Sequence, residues 1–147
     1  MTSSYPSLAQ IRDTAARLDG KILHTPVWRW QTGVIEEQLP TTEVWLKLEL
    51  FQKTGTFKLR GALNCIEALD AAARRRGVVA VSAGNHAIAV AYTARLAGCG
   101  AKVVMPAHAS PARIAACREF GAEVLLMPDV HRAFAHGREI ERDEGRT

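Results

Sequence analysis

The sequence predicts an α/β protein: a parallel sheet with flanking helices, preceded by an N-terminal portion of mixed structure. Three observations carry this. From Val78 onward, short apolar runs alternate with helical patterns, the signature of strand–helix–strand units. Glycine or proline punctuates most of the joints. The segment Gly100–Pro106 is echoed by Gly121–Pro128, give or take one residue, so a helix-to-strand joint occurs twice. Ligands on such sheets bind beyond the carboxyl ends of the strands, which directs attention to Ser82-Ala83-Gly84-Asn85-His86.

The elements are predicted as follows. Ser7 and Gln10 form a capping-box pattern that opens a helix with Leu8, Ile11, Ala15 and Leu18 on one face and Gly20 at its stop. An extended stretch covers Ile22 to Trp30, with Thr25 held extended by the following proline. After a polar turn region, Val44 to Leu50 alternates as a strand. One long helix is expected from near Phe57 to Arg76, with Leu63, Ile66, Leu69 and Ala73 as its buried stripe and Gly77 as its stop. Then follow a buried strand at Val78 to Ser82, a helix at Asn85 to Leu96, and a strand at Lys102 to Met105. Ser110 is expected to cap the next helix, with Pro111 at its first position. The strand Glu123 to Met127 comes next, and Asp129 caps a last helix with Val130, Ala133, Phe134 and Ile140 on one face.

The 147 residues are enough to bury a core, and 48% hydrophobic with 23% charged residues describes a globular chain. A net charge of +4 is too mild to suggest nucleic acid. The densest basic run, Arg74-Arg75-Arg76, falls at an expected helix end, where the dipole favours cations. The three cysteines Cys65, Cys99 and Cys117 are sparse and expected in apolar helical surroundings, so neither a disulfide framework nor a metal site is expected. No apolar run could span a membrane and no signal-peptide pattern is visible, so a cytoplasmic location is expected.

Two segments carry chemistry. In the first, Ser82 to His86 joins a buried strand to a helix. Gly84 permits a tight turn and close approach of a ligand, the helix amides suit an anion such as a carboxylate, and Ser82, Asn85 and His86 add donors. Ser82 or Asn85 could equally serve as a plain helix cap, and the residues alone leave both readings open. In the second, Thr54-Gly55-Thr56-Phe57-Lys58 leads into a helix. A lysine there is disfavoured by the dipole, whose field favours the neutral amine that imine formation needs. An exposed surface lysine is the alternative.

Glu49-Leu50-Phe51-Gln52-Lys53-Thr54-Gly55-Thr56-Phe57-Lys58-Leu59-Arg60-Gly61-Ala62 is similar to the lysine motif of serine and threonine dehydratases and serine racemases. Ser82 to Ala87 is similar to the substrate-carboxylate loop of the same family, and the resemblance runs from His24-Thr25-Pro26-Val27 to Gly145. It implies a type II pyridoxal-phosphate fold, shared with tryptophan synthase β. Residues 1–77 would be the N-terminal part of the large domain and 78–147 the small domain. It implies pyridoxal 5'-phosphate bound covalently by Lys58, with Phe57 packed near the ring and Asn85 bonded to its phenolic oxygen. Ser82, Ala83, Gly84, Asn85 and His86 would line the substrate carboxylate, and Arg132 falls near an arginine that assists in some relatives. The implied substrate is a small hydroxy amino acid such as threonine or serine, converted to a 2-oxo acid and ammonia by a lyase that is homo-oligomeric when complete.

The 11 glycines include no Gly-Gly pair, and the family's glycine-rich phosphate loop and ring-nitrogen partner are expected further along the chain. The chain is therefore expected to be a front portion, inactive alone. A non-catalytic binding or assembly fragment is the competing class. Within the family, a racemase needs a second base on the opposite face of the α-carbon. Serine racemases place a serine directly before the glycine, where this chain has Ala83.

Overall fold

The computed structural model describes residues 5–147. Helix α1 (Leu8–Leu18) opens with the expected capping box: Ser7 accepts from the Gln10 amide, and the Gln10 side chain accepts from the Ser7 amide. A two-stranded antiparallel ribbon follows, β1 (Val27–Arg29) against β2 (Trp45–Lys47), with α2 (Gly33–Gln38) in the connection. After a 3-10 turn at Glu49–Phe51 come α3 (Lys58–Glu67) and α4 (Ala71–Arg76). The alternating unit is β3 (Val78–Val81), α5 (Asn85–Leu96), β4 (Ala101–Pro106), α6 (Pro111–Glu119), β5 (Glu123–Met127) and α7 (Val130–Glu144).

The three-stranded sheet is parallel, in the order β3-β4-β5. Its two faces follow the period-2 alternation of strand side chains. Val78, Ala80, Val103 and Met105 pack with Ala87, Val90, Ala91 and Cys117 of α5 and α6. Val104 on the opposite face packs with Ala133 and Ile140 of α7, with Val79, Val81 and Leu125 beside them. Outside α5 lies α3, whose Ala62 and Ile66 join the first cluster. Leu59 and Leu63 form another cluster with Leu18. The internal echo is the register itself: Lys102 pairs with Glu123 and Val104 with Leu125.

Helices α5 and α6 cover one face of the sheet and α7 the other, so the connections change face after β5. Thr147 then lies along the outer edge of β3. Its amide donates to Gly77 O at 3.2 Å and its carbonyl accepts from the Val79 amide at 2.8 Å, the hydrogen-bond pattern of a parallel bridge around Val78.

Several local expectations need correction. The long helix from Phe57 is broken, because Asp70 accepts from the Ala73 amide at 2.7 Å and caps a second helix. Aspartate competes for backbone donors in this way and favours caps over helix interiors. The buried stripe nevertheless continues through Leu63, Ile66 and Ala73. The basic run ends α4 as expected, and Arg74 donates to the carbonyls of Glu67 and Leu69 at the preceding helix end. The strand at Val44–Leu50 shortens to three residues: Leu48 still donates to Pro26 O in the register of the ribbon, but the proline has no amide to return, and Glu49–Phe51 turns into a 3-10 helix. The connecting region is not all turn, since Thr32 caps α2. On α1 only Leu18 is buried, and Leu8 and Ile11 face solvent. On α7 the buried positions are Ala133, Gly137 and Ile140, with Val130 and Phe134 exposed. Ser110 makes no side-chain cap; its carbonyl accepts from Arg113 and Ile114.

Candidate active site

Lys58 is the first residue of α3, and its amide donates to Thr56 Oγ1 at 3.2 Å. Phe57 stands immediately before it, and Lys58 Nζ lies 5.0 Å from the centre of that ring, a cation–π distance. Gly55 precedes them at φ +71°, a conformation that costs glycine little and other residues more. Both side chains are exposed to solvent at the mouth of a cleft.

The second segment turns from β3 into α5. Gly84 holds the cap position of α5 without any side-chain cap hydrogen bond. Ser82 Oγ accepts instead from the Gly84 amide at 3.2 Å, one residue ahead of the helix. A plain Ser82 or Asn85 cap is therefore not what the structure shows, and the start of a 12-residue helix is left open to an anion. The turn does not need a left-handed glycine: Gly84 has φ −130°. A β-carbon there would meet only Arg113 Nη1 at 3.9 Å and Ser82 Oγ at 4.0 Å, both ordinary contacts. Glycine at this position leaves space rather than enabling a bend.

The two segments meet. An open cleft of about 490 Å³ between α3, α5 and the edge of β3 is lined by Phe57, Lys58, Arg60, Ile66, Val79 and His86, among others. Loss of hydration in the cleft and then the charge of Lys58 push the His86 imidazole below its ordinary value of 6.5. Of the loop residues only His86 lines this cleft; Ser82, Ala83 and Gly84 are half-buried behind it, and Asn85 is exposed. Arg132 is not brought into the cleft. It sits exposed in the first turn of α7, its amide donating to Asp129 at 2.8 Å.

The arginine that does reach the loop is Arg113, which donates to Ala83 O at 3.3 Å. Its position on another helix, 30 residues away in sequence, gave no signal in the primary structure. The cysteines offer no nucleophile in a shared apolar setting. Cys117 is buried in α6, and burial raises its thiol to about 11. Cys99 is buried in the turn after α5, not in a helix, and Cys65 is exposed. Among the described residues no group of three His, Cys, Asp or Glu side chains is arranged to hold a metal ion. Nor is any helix long and apolar enough to cross a membrane.

The sequence pattern of the pyridoxal-phosphate dependent enzyme family matches residues 18–147. The chain belongs to this family. It is 48% identical over 145 residues to a phenylserine dehydratase of Ralstonia pickettii, covering 99% of this chain and 44% of that protein. It is 39% identical over 141 residues to a catabolic L-threonine dehydratase of Escherichia coli, covering 95% of this chain and 42% of that one. Among solved structures, a maize serine racemase matches with a TM-score of 0.81 at 32% identity, over 93% of this chain and 41% of the racemase chain. The chain thus spans less than half the length of these relatives. Members of the family depend on pyridoxal phosphate, and the donors present fit part of that group. A primary amine stands at the mouth of an apolar cleft beside an aromatic ring. In the loop ahead of the lysine, Thr54 Oγ1 is buried without a hydrogen-bond partner. No glycine-rich phosphate cradle occurs among the described residues.

Proposed function

We propose that this chain supplies the cofactor lysine and the substrate-carboxylate loop of a pyridoxal-phosphate-dependent hydroxy amino acid dehydratase. The single observation that carries this is the convergence of Lys58 and His86, from two separate helix N-termini, on one cleft along the edge of β3. Lys58 would anchor the cofactor through its amine, Phe57 would pack beside the ring, and Asn85 would donate to the phenolic oxygen. Bound there, pyridoxal phosphate supplies an electron sink for the charge left on the α-carbon. The amine of Lys58 would also serve as the base that takes the α-proton. Ser82, Gly84 and His86, with the first amides of α5, hold the substrate carboxylate and so fix the direction of the α-C–H bond. The lowered basicity of His86 makes it an uncharged N–H donor at neutral pH. Departure of the β-hydroxyl as water would leave an enamine, which takes up water to give a 2-oxo acid and ammonia.

Ala83 favours elimination over racemisation, because a methyl group cannot serve as the second base that racemisation needs. The substrate class is that of small hydroxy amino acids, threonine, serine, phenylserine and hydroxyaspartate among them.

The chain alone is expected to hold the cofactor weakly, since its residues include no phosphate cradle. Borohydride reduction makes a weak imine linkage permanent, and peptide mapping then shows where it formed. Trapping on Lys58 in preference to Lys102 is the expected result; equal trapping on both would remove the basis of the reading. Joined in frame to the remainder of the Ralstonia pickettii phenylserine dehydratase, the chain is expected to release ammonia from a hydroxy amino acid. In that chimaera Ala83→Ser is expected to raise racemisation relative to elimination.

A further inference from the structure

The cofactor-lysine reading leaves the segment His24-Thr25-Pro26-Val27 without a role, yet Thr25 is 5% exposed, one of few buried polar residues in the chain. Its hydroxyl donates to Glu49 Oε1 at 2.6 Å. Glu49 also receives a two-pronged bond from Arg60, Nε to Oε2 at 2.9 Å and Nη2 to Oε1 at 2.7 Å. Lys47 Nζ closes the group on the carbonyl of Thr25. Gln52, 4% exposed, fastens the same segment a second time by accepting from the Leu23 amide and donating to the Leu23 carbonyl. Arg60 lies in the first turn of α3, two residues after Lys58, and lines the cleft. A cation in that first turn opposes the helix dipole, and Phe57 gives α3 no side-chain cap. Apart from the Thr56 hydroxyl that accepts from the Lys58 amide, the side-chain hold on the start of α3 comes from Glu49.

We propose that Thr25, Glu49 and Arg60 form a positioning tie that fixes the N-terminal turn of α3, and with it the amine of Lys58, against the β-ribbon. The planar guanidinium matches the carboxylate by a fork that sets orientation as well as distance. The hydroxyl of Thr25 aims the carboxylate. Arg60's hydrogen bonds, opposed by burial and reinforced by Thr25, hold the Glu49 carboxyl below its usual range, so the tie is charged at neutral pH. As a role for these residues toward the cofactor, the tie rests on the reading of Lys58; as a hold on α3 it stands by itself.

The test uses the whole 147-residue chain and two readouts. The first is amide hydrogen exchange. Glu49→Gln is expected to speed exchange in the first turns of α3 by about tenfold, the effect of losing a hydrogen bond to a charged group, while α5 keeps its parental rates. Thr25→Val is expected to act in the same direction and Thr25→Ser to restore the parental rates. The second readout is borohydride trapping of pyridoxal phosphate, expressed as the ratio of Lys58 to Lys102. That ratio is expected to fall several-fold in Glu49→Gln and Thr25→Val and to recover in Thr25→Ser. Should Glu49→Gln fail to fold, the two Thr25 variants decide. Unchanged exchange in α3, or loosening spread evenly over α3 and α5, overturns the tie. Equal trapping on Lys58 and Lys102 in the parent chain removes the cofactor-lysine reading instead, and the exchange result still decides whether the tie holds α3.

Discussion

The sheet and the N-terminal region are held by different means. From Val78 onward, apolar side chains on both faces of the sheet meet a helix, and Val103, Val104 and Met105 are fully buried. Before Gly55, the large apolar residues mostly face solvent: Leu8, Ile11, Trp28, Trp45, Leu50 and Phe51 are all exposed. What fastens that region is polar, namely Thr25, Glu49 and Gln52 bonded across 24 to 29 residues of sequence. Burial is non-directional, whereas a few hydrogen bonds fix orientation. The N-terminal region is thus held by directional bonds, and the sheet that carries the Ser82–His86 loop is held by packing.

Four substitutions or titrations can break or sharpen that contrast. Met105→Ala should cost about 2–5 kcal/mol in chemical denaturation, the range for a large-to-small change in a closed core; a much smaller loss would mean that the platform is less tightly packed than its burial implies. Asp70→Ala removes the cap of α4 and should cost about 1 kcal/mol, with circular dichroism showing a small loss of helix. Glu49 carries a pH dependence. Its folded value lies below the ordinary 4.5, so its contribution is present above the carboxylate range and is lost as pH falls through the folded value. The stability gap between the parent and Glu49→Gln should therefore be constant near neutrality and shrink in acid. A gap that does not vary with pH would show that the carboxylate's charge is not what holds the segment. Trp28→Ala should change stability by no more than about 0.5 kcal/mol, as for other exposed positions; a large loss would show that the ribbon relies on packing after all.

The same contrast explains what could be read from the sequence. Strands flanked by helices show continuous apolar runs bounded by glycine and proline, so β3, β4 and β5 fall within a residue or so of expectation. The echo between Gly100 and Gly121 even foreshadows the pairing of Lys102 with Glu123. The apolar face of α1 is legible as a stripe, but a stripe does not say what covers it, and among the described residues of that face only Leu18 is buried. The break at Asp70 was hidden because a single cap residue interrupts an unbroken apolar period. At the site, Lys58 and the Ser82–His86 loop stood out as motifs. The fork from Arg60 to Glu49 and the reach of Arg113 to Ala83 did not, because each joins residues that periodicity cannot relate.

Gly137 of α7 lies against β3 so closely that a β-carbon there would run into Val81 Cγ2. Val81 is the last residue of β3, and Ser82 follows it directly. The missing side chain on the back of the sheet thus sets how far forward the loop on its front can stand. A methyl group added at 137 would act like a shim behind a hinge plate: it touches nothing in the cleft, yet it shifts the frame from which Ser82 and Gly84 are hung.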